Sequence, residues 1–295
     1  MTHSRKLSAS LSLATLATLG LAVSGHAQLT PISLSGYNLA GIANGAPTTG
    51  AGIPAALLAS TGPGTVNGGT LDSQYVYYAE GFDSTTPTSG LPVGTSFLSA
   101  ATNTLGKTVT FSIMPASMST PTPNVLDVYS GLTSATLSLT TPGKYSTLSF
   151  LENGYNGSQT VTYTLNYTTG SAVTGTFTAG DNFGGTNPAF YVNGRIGVTT
   201  ATGGNYETFT SVSAGGAVGN PRLYEIDVTG VDTTRTLSSV TFTDTALSGT
   251  TNGSGFGIFG VSGLAVAPEP SEYAGLLLGG LGLLGLVARK RRVNA

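Results

Sequence analysis

The strongest signal along the chain is a two-residue alternation. In QTVTYTLNY, Val161, Tyr163, Leu165 and Tyr167 alternate with Thr162, Thr164 and Asn166, the period of a strand with one apolar face. Thr169-Gly170-Ser171 then turns the chain into Ala172–Ala179, so residues 159–179 read as an antiparallel hairpin. Short β-rich runs bounded by Gly, Pro and Ser recur at Gln74–Phe82, Lys107–Met114, Ala135–Thr140, Lys144–Leu151, Arg222–Val228, Thr236–Thr245 and Gly255–Val266. A turn is expected at Thr141-Pro142-Gly143. Roughly ten such strands with frequent turns predict an all-β domain over residues 70–267, a two-sheet antiparallel β-sandwich of the jelly-roll kind. Residues 28–69, dense in Gly, Pro, Ala and Thr, read as an irregular lead-in with one short helical turn at Pro54–Ala59. No strict repeat, and no regular Thr-x-Thr ladder of the kind an ice-binding solenoid would carry, is evident along the chain.

The two ends depart from this pattern. Arg5 and Lys6 precede the uncharged run LSLATLATLGLAVSG and then Gly25-His26-Ala27, which is the layout of a secretory signal peptide cut by signal peptidase after Ala27. Residues 1–27 are therefore expected to be a signal helix removed on export. Near the other end, Tyr273–Ala288 is an uncharged segment of about 16 residues. As a helix it reaches roughly 24 Å, a marginal length for a membrane span. The cluster Arg289, Lys290, Arg291 and Arg292 is expected to stay on the cytoplasmic side, leaving the body of the protein outside. Ahead of this transmembrane helix, Pro268-Glu269-Pro270 forbids helix and holds the backbone extended.

That order of Pro-Glu-Pro, short Gly/Leu helix and basic cluster, over residues 268–295, resembles the PEP-CTERM sorting signal of bacterial exported proteins. The resemblance implies an exosortase partner, a membrane transpeptidase that processes the chain near Pro-Glu-Pro. The protein would be anchored transiently and then pass to the cell surface or extracellular matrix. A retained anchor is the alternative; a glycosylphosphatidylinositol signal fits less well, because the tail ends in charge. A second resemblance runs through TLSLTTPGKYSTLSFL, FTAGDNFGG, NGRIGV, LYEIDV, SSVTFTDT and GFGIFGVSGLAV. It is similar to the galactose-binding-like jelly-roll domains found beside PEP-CTERM tails. Those domains often carry Asp-Trp-Phe where this chain has Asp181-Asn182-Phe183, so the aromatic that would stack on a ligand is missing.

Composition narrows the chemistry. Only 8% of residues are charged, and Gly, Thr and Ser dominate the polar positions. Between residues 28 and 267, five basic residues (Lys107, Lys144, Arg195, Arg222, Arg235) face eleven acidic ones. A body near -6 is a poor partner for nucleic acid. The chain has no Cys, and both histidines, His3 and His26, fall in the leader. Ser-His-Asp triads, thiol nucleophiles and Cys/His zinc sites are thereby removed. The P-loop and dinucleotide glycine motifs are absent too.

What remains is oxygen chemistry and aromatic stacking. Asp181 and Asn182, in a Gly-rich loop, offer oxygen ligands to Ca2+, with Asp127 or Asp244 as further ligands. A single Asx turn explains the same pair. Arg195 suits a fork onto a sugar hydroxyl, or an internal ion pair with Asp181 or Glu225. Tyr75 and Tyr77 alternate onto one face of a strand, with Tyr78 on the other, and would form a sugar platform unless the core claims them. The resulting expectation is a non-catalytic structural or adhesive protein associated with extracellular polysaccharide, without cofactor. A carbohydrate-binding module is the alternative. A hydrolase, which needs two carboxylates converging in a cleft, is third.

Overall fold

The structure is a computed structural model that describes residues 28–39, 41–43, 75–80, 90–114, 123–192, 194–197, 206–208, 221–247 and 253–267. The expected signal helix, the turn at residues 54–59 and the sorting tail, including Ala27, Pro268 to Pro270 and Arg289 to Arg292, lie outside the described residues. The first strands in chain order are β1 (Gln28–Pro31), β2 (Leu34–Ser35), β3 (Ile42–Ala43), β4 (Tyr75–Tyr78), β5 (Ser96–Leu98) and β6 (Thr108–Ser112). Next come β7 (Leu126–Tyr129), β8 (Ser134–Gly143), β9 (Tyr145–Tyr155), β10 (Gln159–Tyr167), β11 (Val173–Ala179) and β12 (Phe190–Tyr191). The last are β13 (Gly194–Gly197), β14 (Tyr206–Thr208), β15 (Arg222–Val228), β16 (Leu237–Thr243) and β17 (Gly255–Ala265). The fold is all-β among the described residues, with a single 3-10 turn at Thr245–Leu247 as its helical element.

Two principal sheets carry the molecule. One has five strands in the order β11-β10-β16-β8-β2. The other has eight, β12-β15-β9-β17-β1-β6-β5, with β7 lying beside β17 end to end with β1. A small third sheet, β14-β13-β4-β3, is stitched to the larger one by the bridges Leu39 to Val125 and Ala79 to Leu91. Pairing is antiparallel except where β1 meets β6 and β3 meets β4, which run parallel. Both exceptions involve strands from residues 28–43. This stretch was expected to be irregular, yet it supplies a strand to each sheet. Its strands are only two to four residues long, too short to display a period, and they are held by Leu29, Leu34, Leu39 and Ile42, all buried.

The alternation read from the sequence builds the interface between the two principal sheets. Leu137 and Leu139 of β8, Val161 and Leu165 of β10 and Val240 and Phe242 of β16 point inward from the five-stranded sheet. They meet Leu148 and Phe150 of β9, Val128 of β7 and Phe256 and Ile258 of β17. Phe150 sits at the centre, edge-on to Phe242 at 5.0 Å and to Tyr163 at 5.7 Å between ring centroids. Such pairs add about 0.5–1.5 kcal/mol each beyond the area they bury. The connection at Thr141-Pro142-Gly143 is a sheet-to-sheet corner: β8 runs through Gly143, and the chain crosses into β9 after Lys144 alone.

The eight-stranded sheet curls until its two ends meet. The Ala100 amide donates to the Ala189 carbonyl at 2.9 Å, the Thr102 amide to Asn187 Oδ1 at 2.7 Å, and Phe97 packs edge-on to Phe190 at 5.2 Å. Inside the curl lies a second core, with Leu29, Tyr77, Phe111, Leu151, Tyr155, Leu223 and Phe259 among its members. Strands β9 and β17 are thus covered on both faces, and nearly every residue in them is buried. A bulge in β17 between Ile258 and Gly260 reverses the parity of its side chains. Phe256 and Ile258 face the sandwich before it and Val261 after it, while Phe259 turns into the curl. Gly255 permits the closest packing there, since a β-carbon would collide with the Tyr155 hydroxyl and the Val128 carbonyl.

Candidate functional site

The residues singled out by type do not converge. Asp181 opens the loop after β11, where its Oδ1 accepts from the Phe183 amide at 2.9 Å and its Oδ2 from the Gly157 amide at 2.8 Å. This is an Asx turn that also ties the β9–β10 turn to the loop. Asn182 is buried, its amide donating to the Gly154 carbonyl and its carbonyl accepting from the Arg222 amide. Tyr224 and Arg222 complete the clasp: the tyrosine hydroxyl donates to the Asp181 carbonyl, and the guanidinium donates to the Phe183 and Gly185 carbonyls. No group of three or more acidic ligands able to hold a metal ion forms among the described residues, and Asp127 and Asp244 do not join Asp181.

Tyr77 corrects the platform expectation. It is 1% exposed, lies against Phe259 at 5.9 Å between ring centroids, and its hydroxyl accepts from Asn153 Nδ2 at 2.6 Å. It is therefore a core residue of the curl. Tyr75 pairs through its backbone with Gly197, and Arg195 pairs with Tyr77 on one side and Glu207 on the other. The side chains of Tyr75, Tyr78 and Arg195 lie outside the described residues.

Several acidic residues are buried or half-buried in or beside the curl: Asp127 and Glu225, named from the sequence in other roles, and Glu152 and Asp227, which carried no signal there. Asp127 accepts from the Tyr155 hydroxyl at 2.6 Å, and its main chain exchanges two hydrogen bonds with the Asn38 side chain. Burial pushes its carboxyl up to about 7, against the opposing pull of the Tyr155 hydrogen bond. Glu152 is wholly buried; its carboxyl is pushed well above the ordinary range, with only the Gly180 amide to favour the charged form. On β15, Glu225 and Asp227 occupy one face of the strand, where Ser149 donates to Asp227 at 2.5 Å. Burial and the neighbouring Asp227 raise Glu225 to about 7. Ser99 and Asn103 approach its carboxyl, but neither completes a hydrogen bond of good geometry. Asp127, Glu152 and Asp227 tie neighbouring strands and loops together through Tyr155, the Gly180 amide and Ser149.

Among the described residues, the outer face of the five-stranded sheet has a uniform chemistry. With the apolar residues of β8, β10, β11 and β16 turned inward, every alternate residue faces out, and the strand registers align these into rows. One row reads Thr174, Thr164, Thr241, Thr136; the next reads Thr176, Thr162, Thr243, Ser134. A third runs from Asn166 through Ser239 and Ser138 to Ser35. The ladder missing along the chain is thus assembled across it. β-Branched Thr suits such positions because its χ1 is stiff and its methyl packs on the pleat.

Neighbouring hydroxyls bond across strands. Thr136 and Thr241 are linked at 2.8 Å, Ser134 and Thr243 at 2.8 Å, and Asn166 Nδ2 donates to Ser239 Oγ and Thr241 Oγ1 at 3.2 and 3.1 Å. A hydroxyl has one donor and two acceptor sites, so each keeps capacity directed outward. Strand geometry spaces the groups about 4.8 Å across and about 6.7 Å along the sheet. Sheet twist turns the array by roughly 60–75° over four strands. No charged side chain stands in the three rows. Comparison with protein-family models and with curated proteins finds no match to this chain.

Proposed function

We propose that the chain is an exported, non-catalytic surface or matrix protein that associates with extracellular polysaccharide through the hydroxyl face of its five-stranded sheet. The observation that carries this reading is the three rows of Thr, Ser and Asn without a charge among them. Such a face presents donors, acceptors and methyl groups in alternation. It complements an uncharged polyhydroxylated polymer, which offers hydroxyls and C–H faces in return and requires no ion to be desolvated. Each contact is weak, about 0.5–1.5 kcal/mol net, so binding gains strength from many contacts along one polymer. The twist of the sheet fits a flexible chain better than a planar lattice such as ice.

Delivery follows from the ends: the signal peptide for export, and the PEP-CTERM-like tail for exosortase processing and release to the cell surface. The jelly-roll, galactose-binding-like reading of the body belongs to the same proposal, with the ligand surface moved from the Asp181 loop to the sheet face. Two measurements test it. Intact mass of protein from envelope and medium, compared with a variant lacking Pro268 to Pro270, should show the native chain ending near Pro270 and the variant retaining its tail. Co-sedimentation with insoluble neutral and anionic polysaccharides should show retention by the neutral ones, unchanged between low and high salt. Retention only by anionic polymers, or none, removes the hydroxyl face from the account.

A further inference from the structure

Strand β11 is an edge of the five-stranded sheet: it pairs with β10 over its full length, and among the described residues nothing pairs with its other side. Its sequence, VTGTFTA, has seven residues with no charge, no proline and no bulge. Those are the devices by which natural edges refuse further pairing. Val173 and Phe177 are only partly buried against the sandwich core, as is Tyr163 beside them, so the apolar rim of the sandwich opens along the same edge.

We propose that β11 is a self-association strand, pairing antiparallel with β11 of a second copy of this chain to join two five-stranded sheets into one. The strand is self-complementary about Thr176. Centred there, Thr176 faces Thr176, Thr174 faces Thr178 and Gly175 faces Phe177 of the second copy. Gly175 already lies under the Tyr163 ring, where a β-carbon would collide with the tyrosine hydroxyl. Phe177 of the second copy would cover it from the open side, a pairing of aromatic with edge glycine that stabilises strands. Tyr163 and Phe177 stack at 6.4 Å in each copy, so the pairing brings two such stacks together. The absence of charge on the strand removes the like-charge repulsion that would oppose the contact.

The join has a geometric consequence for the outer face. The row Ser134, Thr243, Thr162, Thr176 continues at the two-fold axis into Thr176, Thr162, Thr243 and Ser134 of the second copy. Eight hydroxyl residues then stand in one line of roughly 34 Å at strand spacing. This inference extends the proposed face but does not depend on its binding glycan. A pair of seven-residue strands is a small interface, so the dimer is reversible and concentration-dependent.

The test uses the chain in the form its producing cells make. Because it contains no cysteine, Thr176→Cys is a unique reporter: directly opposed residues have α-carbons about 4.5–5.5 Å apart, within disulfide reach. With oxidised glutathione, T176C should form a covalent dimer rapidly. T136C, on the same face but on β8, should not. Sedimentation velocity should show wild type shifting from monomer toward dimer with concentration and Thr176→Lys remaining monomeric, with an unchanged circular dichroism spectrum and urea midpoint. A wild type that stays monomeric throughout, or T136C linking as fast as T176C, or T176K dimerising like wild type, overturns the proposal. Glycan retention by a monomeric wild type would leave the hydroxyl face standing and remove the dimer alone.

Discussion

The two cores on either side of β9 and β17 are built differently. The core against the five-stranded sheet is built of aromatic and aliphatic side chains around Phe150, with the alternating strands β8, β10 and β16 supplying one wall. The core inside the curl mixes Tyr77, Phe111 and Phe259 with buried Asn124, Asp127 and Asn153. In the first, the alternation of β8, β10 and β16 sets which residues face inward. In the second, short strands from distant parts of the chain meet, and hydrogen-bonded side chains fix which backbone goes where. Asn124 shows this: its Oδ1 accepts from the amides of Gly41 and Ile42, and its Nδ2 donates to the Ile42 carbonyl. One side chain thus positions a lead-in strand that has almost no length of its own. The first core is held by apolar burial, and the second adds hydrogen-bonded side chains and buried carboxyls that attach a pH dependence to it.

Four perturbations test this contrast. Phe150→Ala empties the centre of the apolar core and should cost about 3–5 kcal/mol in urea unfolding, with both sheets lost together. The next is the pH dependence of the polar core. Asp127 is raised from 3.8 to about 7 and Glu225 from 4.5 to about 7, so the folded state holds more protons than the unfolded chain across that range. Stability is fully present below about pH 4 and is lost as pH rises through about 7. At about 1.4 kcal/mol per unit, Asp127 alone accounts for on the order of 4 kcal/mol. Asp127→Asn keeps an acceptor for Tyr155 and should flatten much of the slope, leaving the remainder to Glu152 and Glu225. Urea midpoints of wild type and variant at pH 5 and pH 8 check this, and a wild type more stable at pH 8 contradicts it.

Asn124→Ala should cost about 1–3 kcal/mol, with hydrogen exchange accelerated first at residues 41–43 while β8, β10 and β16 stay protected. The smallest effect belongs to the outer face. Thr241→Val removes a hydroxyl, keeps shape and β-propensity, and should change stability by no more than about 0.5 kcal/mol.

What was legible in the sequence follows the same division. The strands facing the apolar core declare themselves, because one face is buried and the other wet: Val161, Leu165, Leu137 and Val240 each sit between uncharged polar residues. Inside the curl that signal disappears. SFLENGY and GFGIFGV are buried on both faces, so they show no alternation, and Asp127 within VLDVY carries no mark of its burial. Tyr77 shows the limit for aromatic candidates, since alternation places it on a face without saying which face is inside. The hydroxyl array was half visible. Thr160, Thr162 and Thr164, and again Thr174, Thr176 and Thr178, form short Thr-x-Thr runs. Their alignment with Thr241 and Thr136 depends on β16 lying between β10 and β8, out of chain order. Asp181 was legible as an Asx turn, and that is the role its two backbone partners give it.

The uncharged hydroxyl rows are proposed to hold a neutral polysaccharide. The most direct measurement is the binding isotherm of wild type and of the triple variant T162V/T164V/T241V on one insoluble neutral polysaccharide, at two salt concentrations. Wild type should bind independently of salt and the variant at least tenfold more weakly, with both proteins sharing one circular dichroism spectrum and one urea midpoint. Equal binding by the two proteins would contradict it, because the hydroxyls would then contribute nothing to the contact.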